Sequence, residues 1–368
     1  MNKIIAYFTS ICFFIILISI SVFTLLKENN VFSPLENRYL TTFPNVQINH
    51  ILDGTYQEEI EKAIDDQIVF RDTWAMVESY SEEAIGKVEN NGVYFGKNQY
   101  LMERFSTYDQ EQVKYNINQI NQFKQKNEVD VAFLLVPNSA AVLTNKLPVY
   151  HQDIKIDALY QTIDNQLNPT VLFINPLASL RLHQQESIYF KGDHHWNLNG
   201  AFYGYQEFKK QQDHIIVKKP EMIAVNNQFK GSMIRSAHRY LNQSETILKL
   251  RNNDEVVVQY DKVRKDSLYV DDNLKMNDKY TYYLNGQQAH VHIDCRNNKE
   301  DKLLIIRDSF ANIMLPYLVN DYQSIDVIDM RYDHESMSEF IKKNDINQVL
   351  FLYNIKNFVA DKNFVFLK

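Results

Sequence analysis

Five short apolar runs, separated by helical patterns, most strongly limit the folds available to this 368-residue chain. Two of them, VDVAFLLVPN and TVLFINP, lie in the first half of the chain, and KLLIIRD, SIDVIDMRYD and INQVLFLYN lie near its end. Continuous apolar runs of this length are typical of strands that are covered on both faces. Strands that alternate with helices predict an α/β fold with a parallel sheet and helices on both of its faces.

The N-terminus carries an uncharged run over residues 4–26, about the length that crosses a bilayer. Lys3 precedes this run, so we expect a cytoplasmic N-terminus and an extracytoplasmic remainder. The sequence FTLL at residues 23–26 lacks the small residues of a signal-peptidase site, which favours an uncleaved anchor over a cleaved signal. We therefore predict a single-pass cell-membrane protein, with an anchor at residues 1–27 and one domain at residues 28–368.

Residues 213–300 interrupt the alternation of strands and helices. Short alternating runs such as DEVVVQYDKV, KYTYYLNG and AHVHIDC predict an antiparallel, β-rich insertion there. The net charge of -7 and the lack of a basic run argue against a nucleic-acid partner. Of the two cysteines, Cys12 lies in the apolar run, so we expect no disulfide with Cys295.

Ser309 occupies the turn after the apolar run KLLIIRD, where the pattern predicts the start of a helix. Open α/β folds place their sites at this carboxyl edge of the sheet, and amides at a helix N-terminus suit an oxyanion. The alternative is structural: Asp308 or Ser309 would only cap the helix.

Asp193 and His195, in KGDHHWNLNG, supply the groups that would activate such a serine, because a nucleophilic serine needs a base and the base needs an orienting carboxylate. They follow the run TVLFINP and are expected at the same edge of the sheet. The neighbouring His194, with His290 and His292, offers a competing metal site of the right donor types. Adjacent histidines generally point apart, and no metal-binding motif accompanies them, so we predict no metal and no cofactor.

Three further side chains are candidates for the oxyanion hole or for substrate binding. Asn354, at the end of the last apolar run, is the best side-chain donor to an oxyanion, and Asn357 is its rival. Trp196 is predicted either to stack on a sugar or to pack behind His195. Arg307, like Arg331, ends a strand and is either a substrate clamp or half of an ion pair.

The chain resembles the DHHW protein family in five blocks and in their order: SPLENRYLTTFP, DDQIVFRD, GDHHWN, FKGSMIRSA and IIRDSFAN. That family is similar to the SGNH-hydrolase-like proteins of the alginate O-acetylation machinery. The resemblance implies a three-layer α/β/α sandwich, circularly permuted because the Asp-His turn precedes the serine turn in this chain. Arg307 stands where the usual Gly-Asp-Ser has glycine, and Asp-x-His shortens the usual Asp-x-x-His.

The resemblance implies a serine-dependent O-acetyltransferase that modifies a cell-surface polysaccharide through an acetyl-enzyme on Ser309. Its acetyl donor would come from a membrane-bound O-acyltransferase. An esterase of the same fold differs only in the acceptor, since water would then reach the acyl-enzyme. A non-catalytic glycan-binding or scaffold protein is the alternative from a different class.

Overall fold

The computed structural model describes residues 2–33, 38–239, 244–251, 255–260 and 263–367. Residues 34–37 of the block SPLENRYLTTFP, and parts of the region predicted as an insertion, lie outside the described residues. The chain divides into two compact units, residues 1–87 with 235–240, and residues 88–234 with 241–368. The predicted domain boundaries at residues 27, 213 and 300 stay predictions.

Among its described residues, the first unit contains helices and one pair of two-residue antiparallel strands. A 24-residue part of its first helix, Lys3–Leu26, is long and apolar enough to cross a membrane. The block DDQIVFRD contains the break between the third and fourth helices. The elements are α1 (Asn2–Leu26), β1 (Phe32–Ser33), β2 (Arg38–Tyr39), α2 (Ile48–Asp53), α3 (Thr55–Gln67) and α4 (Arg71–Ala84).

The second unit contains the strand–helix alternation. Its first half comprises β3 (Glu89–Asn90), β4 (Val93–Phe95), β5 (Leu101–Glu103), α5 (Gln110–Lys126), β6 (Asp130–Val136), α6 (Ser139–Val142), α7 (Ile156–Gln166), β7 (Val171–Ile174), α8 (Leu177–Leu182) and α9 (Leu198–Gln212). Helix α5 is amphipathic, and Asp109 caps it by accepting from the amides of Glu111 and Gln112.

The remainder of the chain completes the sheet. Its elements are β8 (Met222–Phe229), α10 (Ser232–Ala237), β9 (Glu245–Leu250), β10 (Val257–Tyr260), β11 (Val263–Lys265), β12 (His290–Asp294), β13 (Lys302–Arg307), α11 (Leu315–Leu318), β14 (Ser324–Ile328), α12 (Met337–Asn344), β15 (Gln348–Asn354) and α13 (Ile355–Ala360). The run KYTYYLNG was expected as a strand, but its first four residues form a 3-10 helix, Lys279–Tyr282.

One eight-stranded sheet, in the order β11-β10-β12-β14-β13-β15-β6-β7, forms the centre of the second unit. The five apolar runs are its strands β14, β13, β15, β6 and β7, and all four pairings among them are parallel. Strands β10, β11 and β12 extend it antiparallel at one side. The predicted α/β class with a parallel sheet is therefore confirmed, and strands from the region 213–300 belong to the same sheet.

The core residues of these strands are almost wholly buried, which explains their continuous apolar sequence. Ile305 and Leu350, for example, are 0% exposed. Aromatic rings of α5 and α13 pack on the sheet: Phe123 contacts Phe351, and Phe358 contacts Phe133. This packing holds the carboxyl ends of the parallel strands in fixed positions.

Candidate active site

The predicted site residues follow strands of the parallel sheet. Ser309 follows β13 directly, Asn354 ends β15, and Asp193 and His195 lie in the connection from β7 to α9. Because parallel strands end at a common edge, these turns meet although they are far apart in sequence. The structure brings Asp193, His195 and Ser309 into direct contact.

A continuous hydrogen-bond chain joins these three side chains. The Asp193 Oδ1 atom lies 2.6 Å from His195 Nδ1, and His195 Nε2 lies 2.8 Å from Ser309 Oγ. The Asp193 carboxylate accepts a hydrogen bond from Nδ1, so the proton of the neutral imidazole is on Nδ1. The lone pair on Nε2 then faces the serine hydroxyl. All three residues are buried, Ser309 being the most exposed at 9%.

The His195 imidazole is enclosed by aromatic rings. Tyr280 stacks on it, with ring centroids 3.7 Å apart and planes 8° apart, and Phe310 and His194 contact it at centroid distances of 4.8 and 3.9 Å. Burial lowers the pKa of His195 to about 4, helped by the charge of His194 and opposed by Asp193. The imidazole is therefore neutral, and able to accept a proton, over the whole physiological range.

Two backbone segments fix the Asp193 carboxylate. Its Oδ1 also accepts from the His195 amide at 3.1 Å, while its Oδ2 accepts from the amide and the hydroxyl of Ser232 at 2.8 and 2.9 Å. Burial raises the pKa of Asp193, but His194, His195 and these hydrogen bonds outweigh it and hold the pKa well below its usual range. Asp193 is an anion that can stabilise a positive imidazole.

Gly231 permits the close approach of the Ser232 segment to this carboxylate. A Cβ atom on Gly231 would lie 2.3 Å from Asp193 Cβ and 2.3 Å from the carbonyl oxygen of Gly192. No side chain fits there without a backbone shift.

Glu245, in β9, holds the residues just before Asp193. Its carboxylate accepts from the amides of Lys191 and Gly192 at 2.6 and 2.9 Å. Burial raises the pKa of Glu245 to about 7, against the lowering effect of these two amides. The Asp-x-His turn is thus supported by two residues, Ser232 and Glu245, from the region predicted as an insertion.

Asp308 fills the capping role that was the structural alternative for Ser309. Its side chain caps the 3-10 helix Ser309–Ala311 by accepting from the amide of Phe310 at 2.9 Å. It also accepts from the amide of Asn354 at 2.7 Å and from the side chain of Asn357 at 2.8 Å. The Ser309 hydroxyl is left to contact His195.

The helix expected directly after Ser309 is only this 3-10 turn, followed by the four-residue α11. So short an element provides little helix dipole for an oxyanion. The Phe310 amide is engaged by Asp308, whereas within the described residues no acceptor is bonded to the Ser309 amide. The Ser309 amide is thus a donor that is available beside the hydroxyl.

The Asn354 side chain is engaged elsewhere. Its Nδ2 donates to the carbonyl of Val136 at 3.2 Å, and its Oδ1 caps α13 by accepting from the amide of Lys356 at 3.0 Å. It lies on the same edge of the sheet as Ser309, and its predicted role in an oxyanion hole stays a prediction.

Trp196 is fully buried, which does not fit the expectation that it stacks on a sugar. Its indole N–H donates to the carbonyl of Phe310 at 2.9 Å, and a Cβ on Gly204 of α9 would lie 2.5 Å from its ring. Its ring packs in the interior, next to Phe310, with ring centroids 6.2 Å apart.

Arg307 is likewise 0% exposed, so it does not reach a substrate at the surface. Its Nη1 lies 3.6 Å from Asp329, and its Nη2 donates to the carbonyl of Gln288 at 3.3 Å. Arg331 pairs with the same Asp329 at 2.6 Å. The ion-pair alternative holds for both arginines, and Arg307 ties the strand end to the 288 segment.

The metal alternative can be assessed from the donor atoms. Asp193, His194 and His195 each have one donor atom within 4.8 Å of the others. However, the Asp193 and His195 donors are already joined to each other and to Ser309, and His194 Nδ1 lies 2.9 Å from Ser232 Oγ. His290 and His292 are elsewhere, both 2.9 Å from Asp326.

Tyr280 was missed by the sequence analysis. Besides stacking on His195, its hydroxyl donates to the carbonyl of Ser309 at 2.8 Å, so it contacts both the base and the nucleophile's backbone. Nothing in the tyrosine-rich run KYTYYLNG distinguishes this residue from its neighbours. Ser232 lies in the block FKGSMIRSA, which contributed to the family resemblance but did not indicate which of its residues belongs to the site.

A protein-family model described as DHHW protein matches residues 93–328, which is more than half of the chain. The match includes the Asp-His turn and the serine turn. The chain belongs to the DHHW protein family. This confirms the resemblance inferred from the sequence blocks. No curated protein matches the chain.

Solved structures of a DHHW family protein and of PatB1 share the fold. A DHHW family protein from Eubacterium siraeum is 24% identical, with a TM-score of 0.63 over 75% of this chain and 95% of its own. PatB1 of Bacillus cereus, solved with a sulfonyl adduct, is 23% identical, with a TM-score of 0.60 over 74% and 97%. The O-acetyltransferase domain of Pseudomonas putida AlgJ is 14% identical over 73% and 93%, with a TM-score of 0.47.

Proposed function

We propose that this DHHW protein is an acyl-ester enzyme, an O-acetyltransferase for a cell-surface polysaccharide, that uses Ser309 as nucleophile, His195 as base and Asp193 as orienting carboxylate. The observation that carries the proposal is the hydrogen-bond chain from Asp193 through His195 to Ser309, with distances of 2.6 and 2.8 Å. These are the distances and the order of groups that an activated serine requires.

In the first half-reaction, Ser309 Oγ attacks the carbonyl carbon of an acetyl ester while its proton moves to His195 Nε2. The negative charge on Asp193 stabilises the imidazolium that forms, and the Ser309 amide donates to the tetrahedral oxyanion. The intermediate then expels the alcohol of the donor, which takes the proton from His195, and the acetyl group stays on Ser309.

In the second half-reaction, a sugar hydroxyl gives its proton to His195 and attacks the acetyl-serine. Collapse releases the acetylated sugar and returns the proton to Ser309 Oγ. With water as the acceptor the product is acetate, so hydrolysis uses the same groups.

An oxyanion hole needs a second donor besides the Ser309 amide for full effect. Asn354 would serve if its side chain turned away from Val136, to which it donates at 3.2 Å. The amide of Asn354 would keep its bond to Asp308 in this change, because that bond involves the backbone.

The fold supports a circularly permuted SGNH-like sandwich. If β13, β14 and β15 are strands one to three and β6 and β7 are strands four and five, the parallel part of the sheet has the order 2-1-3-4-5. This order is a common doubly wound arrangement. The region 213–300 then connects the part of the chain that ends in strand five to the part that begins with strand one, as an insertion would.

The apolar helix Lys3–Leu26, with the lysine at its start, supports a single-pass anchor with the enzyme outside. An extracytoplasmic enzyme cannot draw on cytoplasmic acetyl donors directly. A membrane-bound O-acyltransferase would pass the acetyl group across, and the acceptor would be a polysaccharide at the cell surface.

The test compares the full-length wild type with Ser309→Ala, using a chromogenic acetyl ester and a sulfonyl fluoride. PatB1 carries a sulfonyl adduct in its structure. We expect a sulfonyl fluoride to add once, on Ser309, and to abolish hydrolysis of the ester. Ser309→Ala should show neither the adduct nor a rate above background, a loss of at least about 10³-fold.

Equal background rates in wild type and Ser309→Ala would refute catalysis and leave a glycan-binding protein as the explanation. If wild type is active, an oligosaccharide acceptor that gains one acetyl group identifies transfer, and release of acetate alone identifies an esterase. Loss of activity with a chelator would instead favour a metal at Asp193, His194 and His195.

A further inference from the structure

The turn at residues 68–70, between α3 and α4, lies against the end of the apolar helix α1. The Val69 amide donates to Thr24 Oγ1 at 3.1 Å. Thr24 is 7% exposed, whereas its neighbours Phe23 and Leu25 are 63% and 70% exposed. One side of the helix end is therefore covered by this turn, and the other side is open.

This contact sets the depth of the turn relative to a membrane. The apolar stretch comprises residues 3–26, so Thr24 lies about 14 Å along the axis from its midpoint, at about 1.5 Å per residue. The hydrocarbon core of a bilayer has a half-thickness of about 15 Å. If α1 spans a bilayer, the turn beside Thr24 lies at the boundary between hydrocarbon and headgroups.

Two aromatic side chains are exposed here, Phe70 in the turn and Trp74 in the first turn of α4. Phe70 is 70% exposed and Trp74 is 46% exposed. Phe70 has a φ of 59°, a left-handed conformation that bulky residues rarely adopt. The indole N–H of Trp74 donates to the carbonyl of Val69 at 3.0 Å, so its polar atom is satisfied by the protein and its ring is open.

The charges between these aromatics do not oppose contact with lipid. Arg71 Nη1 lies 3.1 Å from Asp72 Oδ1, so the two charges pair with each other. Tryptophan is enriched where a bilayer meets water, because its ring is apolar and its N–H is polar. The turn has the composition, the exposure and the depth of an interfacial contact.

We propose that Phe70 and Trp74 insert into the outer interface of the bilayer that α1 crosses, so that the first unit rests on the lipid surface. The inference depends on the membrane anchor included in the proposed function. The lipid is identified as the occupant by the hydrogen bond to Thr24, which places the exposed rings beside the lipid-facing end of α1.

Tryptophan fluorescence can test this contact, because the chain has two tryptophans and the other one, Trp196, is fully buried. The full chain is reconstituted in phosphatidylcholine vesicles, with or without bromine on the upper part of the acyl chains. The Trp74→Phe variant measures the emission of Trp196, which is subtracted. We expect brominated lipid to quench the remaining Trp74 emission, and Phe70→Ser to reduce that quenching.

The matched control is Phe23→Trp in the Trp74→Phe background, which places a reporter on the exposed side of α1 at nearly the same depth. Quenching of Trp74 to an extent comparable with this reporter supports the inference. A quenched reporter with an unquenched Trp74 overturns it, as expected if water or another protein covers the turn, and leaves the anchor intact. If neither is quenched, α1 does not cross the bilayer, and both the anchor and the inference fail.

Discussion

The protonation of His195 gives a prediction that separates this site from an ordinary histidine. As the base, His195 must be neutral to accept the Ser309 proton. Burial first, and the charge of His194 second, lower its pKa from 6.5 to about 4. We therefore expect the acid limb of kcat/KM near pH 4, with the rate falling as pH drops through that value.

The magnitude follows from the neutral fraction of the imidazole. At pH 5 a histidine with a pKa of about 4 is about 90% neutral, whereas one at 6.5 is about 3% neutral, so the rates differ about 30-fold. Initial rates on a chromogenic acetyl ester, between pH 3.5 and 8 at constant ionic strength, measure the limb. A limb at pH 6.5 would refute the assignment of the buried, low-pKa base.

The stability of the fold changes in the same pH range and must be measured separately. Because the folded pKa of His195 lies below its unfolded value, its contribution to stability is complete above pH 6.5 and is lost as pH falls toward 4. At most this costs about 3 kcal/mol. Circular dichroism at each pH shows whether a falling rate reflects protonation or unfolding.

A substitution at His194 tests whether its charge contributes to the low pKa of His195. Its ring centroid lies 3.9 Å from that of His195, and its charge lowers the pKa of His195. His194→Gln should move the acid limb to higher pH while leaving the rate on the alkaline plateau within about threefold. The exposed His151→Gln is the control. An unmoved limb in His194→Gln would show that burial alone sets the pKa.

Two other substitutions test the supports of the site. Tyr280→Phe removes the hydrogen bond to Ser309, worth about 1 kcal/mol, and should lower kcat/KM about fivefold. Tyr280→Leu also removes the ring stacked on His195, which should cost a further ~0.5–1.5 kcal/mol and move the acid limb of kcat/KM to higher pH. The control is Tyr332→Phe, at an exposed tyrosine. Wild-type kinetics in Tyr280→Leu would contradict a role for this ring. Gly231→Ala places a Cβ 2.3 Å from Asp193, and we expect it to lower the free energy of unfolding by about 1–3 kcal/mol, as measured by thermal unfolding. In kinetic assays it should change kcat more than KM. An unchanged kcat would show that the turn adapts without moving the carboxylate.

The local pattern of residues was sufficient to predict the five parallel strands and the turns that carry Asp193, His195 and Ser309. The runs that became β6, β7, β13, β14 and β15 are apolar because both of their faces are covered, and this property is visible within each run. Asp193, His195 and Ser309 were identifiable because each belongs to a turn at the end of such an element. The alternation of strands and helices then placed these turns at one edge.

Only the tertiary structure decided what surrounds these residues. Tyr280, Ser232 and Glu245 come from a region whose strands β10, β11 and β12 join the same sheet, and no local period reports which distant turn a side chain will reach. The same limit applies to Trp196 and Arg307, whose sequence positions allowed both a buried and a substrate-binding role. Periodicity describes how one element is covered, whereas a site depends on contacts between residues more than a hundred positions apart, such as His195 and Ser309.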